Sequence, residues 1–592
     1  MTIHYQIKPH SLNSHLFEVS IHFDTIVDTT YTLSLPAWLP GSYMVRDFAK
    51  NIISLSAANE NNQPITLTAL DKQTWQVTAT DRKIHLHYHV FAFDLSVRTA
   101  YLDNQRGFFN GSSTFLAIEE LKQAQCHLSI IAPENKPNWR VATGMSRNKS
   151  TEKYRFGEYY AQDYAELIDC PVAIGEFEPF EFDVEGVTHH LVFTSSHYGD
   201  MARMAEDIGK LCQHHISLFG EAPFKEYWFI THLLAEGFGG LEHKNSTILQ
   251  AGRFDLANPN KPNELSEQYK TFLSLCSHEY FHAWNVCRIK PKAFIPYQLA
   301  KESYTDQLWA YEGITSYYDD FSLYRSGIIS FEEYLAILSK TATRVYRGSG
   351  ELKQSITESS FFTWTKFYQQ GPDAVNNIVS YYTKGSLIAL WLDLTIREKS
   401  QQKYSLDNLM KELWIHFGRT NIGTQQDDFI NIVNILCGED ISQAFTNILN
   451  SAARIDLQPL LANVGVSYQT SKYKQLNNLE TTTADDYMPY IGAMYKTHAM
   501  GVKITQVIEQ SPAAQAGIAV NDVLIAVDNM LVTEKSLQHL ANHLPENSQV
   551  TCHVFRDDQL LTNQLKFIDS PLASITISEC DQKLSAIWQQ II

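Results

Sequence analysis

One pentapeptide narrows what the chain around it can fold into: His278-Glu279-Tyr280-Phe281-His282. Residues four apart share one face of an α-helix, so two imidazoles at this spacing can reach a single point if the segment is helical. The flanking sequence agrees. Apolar residues recur at helical spacing through 263–284, after Pro262, with Asn263 as the expected N-cap. The helix must stop before Pro291. Leu273, Leu275, Tyr280, Phe281 and Trp284 surround the motif and predict burial, where His and Glu without partners are costly. The plainer reading is an ordinary helix with two polar residues on its face. Neutral imidazole nitrogens, however, are natural zinc ligands. Glu279, about 100° round the helix, is placed to touch a water at the ion rather than the ion itself.

A zinc site for hydrolysis wants a third protein ligand and an open position. Two downstream glutamates compete. Glu302 lies in polar AKESYTDQ and reads as a solvated loop residue. Glu312 lies in Trp309-Ala310-Tyr311-Glu312-Gly313-Ile314-Thr315, part of an expected helix over 305–327 capped by Thr305 or Asp306. A lone carboxylate there needs a cation, so Glu312 is the chosen ligand. An oxyanion donor is also required. Tyr382 in Ser380-Tyr381-Tyr382-Thr383-Lys384-Gly385 is the candidate, with Tyr381 in reserve.

The 592 residues predict several domains. With 47 Lys+Arg against 65 Asp+Glu the formal charge is −18, which argues against nucleic acid or an anionic membrane as the main partner. The eight cysteines form no CxxC pair and suit a reducing compartment. No signal-peptide core or membrane-length apolar run is visible, so a soluble, cytoplasmic protein is expected. Residues 1–173 alternate apolar and polar in short runs and read as a β-sandwich, with Asn110-Gly111 as a hairpin signal. Residues 174–469 are expected to form one domain with a β part (174–260) and an α part (261–469). A polar linker (470–486) precedes a small module at 487–570, and 571–592 is a tail with a short helix.

Gly239-Gly240-Leu241-Glu242-His243 follows a β-prone run, 227–234. Glycines permit close backbone approach, and a glutamate there could hold an ammonium group. The bland reading is a glycine turn with a surface Glu.

Taken together, GGLEH, HEYFHAWN, WAYEGITSYY and YTKG resemble the gluzincin aminopeptidases. The chain departs from their aminopeptidase-N branch. It has GGLEH where that branch has GAMEN, and a longer interval, 29 residues, between His282 and Glu312. It resembles instead the glycyl aminopeptidase family, which carries a C-terminal PDZ domain. LPAWLPGSYMVRDFAKN (35–51) and DLSVRTAYLDNQRGFFNGS (94–112) look like that family's N-terminal domain.

The resemblance implies a multidomain α+β fold: an N-terminal β-sandwich, a thermolysin-like (gluzincin) catalytic domain with a mainly α-helical lobe, and a PDZ domain. It implies zinc-dependent removal of N-terminal residues, small ones such as Gly and Ala preferred, with one Zn2+ per chain. His278, His282 and Glu312 match the zinc ligands and Glu279 the catalytic glutamate. Glu242, with Gly239 and Gly240, matches the amine-binding motif, and Tyr382 the transition-state tyrosine. Tyr490-Ile491-Gly492-Ala493 looks like the PDZ carboxylate-binding loop, which would take a peptide or protein C-terminus. Asn521-Asp522 replaces the usual Gly-Asp, and 534–543 would be the groove helix.

Peptides with a free N-terminus are the expected substrates. The alternatives are a zinc endopeptidase, in which Glu242 meets no amine, and a PDZ scaffold with a structural metal. His85, His87 and His89 alternate on one strand face and read as polar surface, with Ile84, Leu86, Tyr88 and Val90 inward. His214 and His215 are adjacent and read as structural.

Overall fold

The alternation in the first 173 residues is that of strands with one buried face, and a computed structural model of the chain has them there. It describes residues 2–477, 479, 481–482 and 486–590. The chain divides into two compact units, Met1–Ser303 with Trp414–Gly423, and Tyr304–Leu413 with Thr424–Ile592.

In the first unit an eight-stranded sheet runs in the order Ser146–Arg147, Gly157–Ala161, Gln125–Ile130, Thr2–Ser11, Leu16–Asp24, Lys83–Phe91, Ile52–Asn59, Pro64–Ile65. Two four-stranded sheets complete the N-terminal part. Tyr5, Val19, Leu86 and Tyr88 point into a buried cluster that extends to Trp228, Ile230, Leu241 and Ile248 of the next sheet. That next sheet has five strands, Phe180–Val184, Val187–Phe193, Glu226–Leu234, Ser246–Gly252 and, at its edge, Phe238–Glu242. The continuous core ties the glycine-rich edge strand to the N-terminal sheets. Asn110-Gly111 makes no hairpin. The Asn110 amide donates to the Val97 carbonyl (2.7 Å) and the pair opens a buried 3-10 turn, Gly111–Ser113. Tertiary burial overrides the local turn signal here.

The second unit is helical around Thr383–Lys399, an almost wholly buried helix. Asp393 and Arg397 form an ion pair inside it (3.1 Å), and Tyr317 Oη and Trp588 Nε1 donate to the same carboxylate. Trp588 lies on a C-terminal helix, Gln582–Gln589, so the tail closes this core. The stretch expected as a linker begins instead as a strand, Val466–Tyr473, paired antiparallel with Ser574–Glu579. Part of the stretch (478, 480 and 483–485) lies outside the described residues. Between these two strands in sequence comes the PDZ fold. Its strands run Ala493–His498, Gly501–Val507, Val523–Val527, Gln549–Arg556, Gln559–Lys566, with a groove helix Glu534–His543. Asn521 adopts φ 76°, the left-handed conformation that asparagine tolerates and that glycine usually supplies. Asp522 accepts from Ala519 N (2.8 Å) and pairs with Arg556 (2.8 Å). Among the described residues no helix is long and apolar enough to cross a membrane.

Candidate metal centre and amine site

The motif helix spans Glu267–Phe281, shorter at both ends than its periodicity predicts. Residues 261–264 form a turn, so Ser266 rather than Asn263 is the N-cap, its hydroxyl accepting from Tyr269 N (3.1 Å). His282 is the C-terminal cap. Glu279 and His282 are buried, at 4% and 1% exposure. The helix is held by polar contacts to two imidazoles whose burial favours the neutral form. His215 Nε2 meets Ser277 Oγ (2.9 Å), which gives His215 the structural role expected of it. His189 Nε2 meets Tyr280 Oη (2.9 Å), and burial lowers the His189 pKa to about 4. Tyr227 Oη donates to the Glu279 carbonyl (3.1 Å).

His282 Nδ1 lies 2.8 Å from the Asn285 carbonyl. A proton on Nδ1 donates there and leaves the Nε2 lone pair for a ligand, the usual arrangement of a metal-bound histidine. That Nε2 lies 3.0 Å from His278 Nε2. Two nitrogens about 2.0–2.1 Å from one tetrahedral ion stand roughly 3.3 Å apart, so the pair fits zinc. Asn285 is a site residue that the letters of the motif did not reveal.

Glycines set the carboxylates. The GGLE segment is itself the edge strand, not a turn. A Cβ on Gly240 would lie 2.0 Å from Glu279 Oε1, so the strand backbone packs directly on that carboxylate. Gly239 has φ 149°, a conformation side chains rarely adopt. Two residues on, Glu242 is 8% exposed. Two residues of strand cover about 6.6 Å and return to the same face of the sheet, so Gly240 and Glu242 address one side of the edge strand. Gly41, with φ 81°, presses on Glu242: a Cβ there would lie 2.5 Å from either oxygen. Sequence reasoning missed Gly41, whose only local signal is the Pro40-Gly41 turn dipeptide. His243 turns away to Asp169 (3.2 Å). Burial raises the Asp169 pKa, but the His243 hydrogen bond and the charges of His243 and Lys244 outweigh it and bring it below the usual range.

In the second unit, Glu312 is 2% exposed. It lies on a π-turn, Trp309–Gly313, that opens the helix Ile314–Arg325. Thr305 is not the cap; its hydroxyl accepts from Gln307 N before the helix begins. Single π-turns recur at functional sites because they re-aim side chains. A Cβ on Gly313 would lie 2.5 Å from Gly385 Cα, and one on Gly385 would lie 2.8 Å from Gly313 Cα. The glycine after Glu312 and the glycine of YTKG are therefore each other's contact. Tyr382 is the N-cap of the helix carrying Gly385. Tyr381 is fully buried and its hydroxyl accepts from Thr363 (2.9 Å). Burial, then the nearby charges of Tyr368 and Glu312, push its pKa well up. Tyr382 is half-buried and stacks on Phe367 and Tyr381. The rejected Glu302 belongs to the first unit and lies half-buried in irregular chain.

In the PDZ fold, Gly492 has φ 70° and a Cβ there would meet Ser511 Cβ at 2.2 Å. Its carbonyl accepts from Ile508 N (2.8 Å), and the Ile491 carbonyl from Ala513 N (2.9 Å). Tyr490 pairs with Ile568, and Ala493 begins the edge strand.

Comparison with known proteins agrees with this architecture. Residues 4–176 match the Peptidase M61 N-terminal domain, 271–388 the M61 glycyl aminopeptidase, and 489–567 a PDZ domain. The chain is 44% identical to an aminopeptidase N family protein of Idiomarina loihiensis, with a TM-score of 0.96 and all of both chains covered. A lesser likeness is to the M1 zinc metallopeptidase of Deinococcus radiodurans. It has 13% identity and a TM-score of 0.47, over 77% of this chain and 95% of that one. No curated protein matches the chain. An HExxH helix, an edge strand of GGLE and a PDZ fold in one chain thus agree with sequence likeness over its full length: the protein belongs to the M61 glycyl aminopeptidase family and is a metalloaminopeptidase.

Proposed function

We propose that the enzyme removes single N-terminal residues, preferentially Gly or Ala, from peptides. His278, His282 and Glu312 would hold one zinc ion. Bound zinc supplies a Lewis acid that lowers the pKa of water towards about 7 and polarises a carbonyl.

The chain's own residues do the rest. Glu279 takes a proton from the attacking water and returns it to the departing amine. Its buried position beside the Gly240 backbone holds the carboxylate to one side of the two imidazoles. Glu242 receives the substrate's ammonium by a charge-assisted hydrogen bond. The edge strand offers backbone groups to an extended substrate. Tyr382 donates to the oxyanion, a role its half-exposed ring suits better than the sealed Tyr381.

The observation that carries this reading is the edge strand itself. It presses Gly240 on the proton-transfer glutamate and presents Glu242 two residues further along on the same strand, so that an amine held by Glu242 would bring the first peptide bond toward the reacting groups. The test is Gly-, Ala- and Leu-amides beside their N-acetylated forms. Acetylation should abolish cleavage, with Gly and Ala ahead of Leu. Equal cleavage of acetylated substrates would make the enzyme an endopeptidase.

A further inference from the structure

The peptide groove of a PDZ fold lies between its edge strand and its helix, and an added strand pairs with the edge. In this chain the groove lies between Ala493–His498 and Glu534–His543. It is already filled. Leu476 N donates to Gln538 Oε1 on the groove helix (3.0 Å). Asn477 Nδ2 donates to the Tyr495 carbonyl (2.6 Å), and Tyr495 N donates to Asn477 Oδ1 (2.7 Å). A primary amide so placed satisfies one N–H and one C=O of the edge strand, the pair that a ligand backbone would take. The Leu476 side chain is 6% exposed and shares the PDZ core cluster with Ile491, Ala493, Tyr495, Leu537 and Ala541.

We propose that this groove is an internal-peptide site whose resident ligand is Leu476-Asn477 of the same chain. A peptide in trans must then carry a Leu-like side chain followed by an amide, and needs no terminal carboxylate. The test uses the full chain and the fluorescently labelled peptide Tyr-Lys-Gln-Leu-Asn-Asn-Leu, the sequence of residues 473–479, as C-terminal amide and as free acid. The double variant Leu476→Ala/Asn477→Ala should bind the amide at least tenfold more tightly than wild type and should bind both forms alike. Gln538→Ala in that background should weaken binding. Asn477→Ala alone, at a half-buried position, should give an intermediate gain and keeps the test open if the double variant does not fold. Equal binding by wild type and variants, binding of the free acid alone, or binding by none would overturn the proposal.

An independent observation concerns the solvent face of the eight-stranded sheet. His85, His87 and His89 point outward there, as their alternation predicts. Glu18 stands directly opposite His89 on the adjoining strand, and the register slips between Pro9 and Ser11, leaving His10 beside both. His10 Nδ1 is 3.0 Å from Glu18 Oε2, and the His10 and His89 rings are 4.6 Å apart. One ligand atom from each of His10, Glu18 and His89 lies within 4.8 Å of the others. Lys8 Nζ (3.1 Å) and His87 Nε2 (3.5 Å) face the other oxygen of Glu18. The buried Nε2 of His89 has no hydrogen-bond partner among the described residues. We infer that this trio is a second metal site. Two imidazoles and one carboxylate suit zinc or copper, not the all-oxygen preference of calcium or magnesium.

Zinc titration of the full chain against a chromophoric indicator should show two equivalents, the weaker one lost in His10→Ala and in His89→Ala with peptidase activity unchanged. A single equivalent in wild type, or a second one that survives both substitutions, would overturn the assignment.

Discussion

Single atoms decide whether the site can work. Adding one carbon at Gly240 would place it 2.0 Å from Glu279 Oε1, so Gly240→Ala must displace the carboxylate. Displaced general bases cost 10²–10⁴-fold, so kcat should fall by about 100-fold or more while zinc content stays that of wild type. Gly41→Ala should act through Glu242 instead, raising KM for free-amine substrates. Tyrosines 381 and 382 separate in the same way. Tyr382→Phe should lower kcat by roughly 10²–10³ with little change in melting temperature. Tyr381→Phe removes a hydroxyl bonded to Thr363 and should chiefly lower stability, by about 1 kcal/mol. The motif letters named the histidines and glutamates. They could not show Gly41 or Asn285, because a contact between residues distant in sequence, or a carbonyl that orients an imidazole, leaves no mark on residue type.

At the scale of elements, periodicity found the helices and missed their ends. Asn263 lost to Ser266 because 261–264 are spent in a turn. The expected cap at Thr305 or Asp306 gave way to a π-turn, which has no sequence signature that helical spacing can detect. The YEG and YTKG motifs share a physical reason that neither shows alone. Gly313 and Gly385 let the Glu312 turn and the Tyr382 helix touch backbone to backbone. Alanine at either must push the two apart. Overpacking of this kind costs about 1–3 kcal/mol, and both variants should lose activity in proportion to the misplacement of Glu312 and Tyr382. A thermal melt beside a zinc measurement distinguishes this from simple unfolding.

For the whole molecule, family membership and the α+β architecture were legible, because four motifs in a fixed order and a long likeness carry them. The return of the tail was not. The C-terminal helix places Trp588 on the buried Asp393–Arg397 pair, a contact no local pattern encodes. Breaking one side of a buried pair costs about 3–5 kcal/mol, so Asp393→Ala should lower the urea midpoint sharply. Acid should also destabilise the first unit. Burial holds His189 at about 4 and His232 at about 3, both below the 6.5 of an exposed histidine. Between those values and 6.5 the unfolded chain takes up protons that the folded chain refuses. Stability is therefore intact above pH 6.5 and lost as pH falls below it, by about 2 kcal/mol per histidine at pH 5. Urea titrations at pH 7 and pH 5 check this.

The central claim is that Glu279 moves the proton while zinc is held by other residues. Glu279→Gln keeps the size and removes the base. Zinc content and turnover of Ala-amide, measured on one preparation, test it most directly. The predicted result is wild-type zinc with turnover reduced by at least 100-fold. Wild-type turnover at wild-type zinc content would contradict the account.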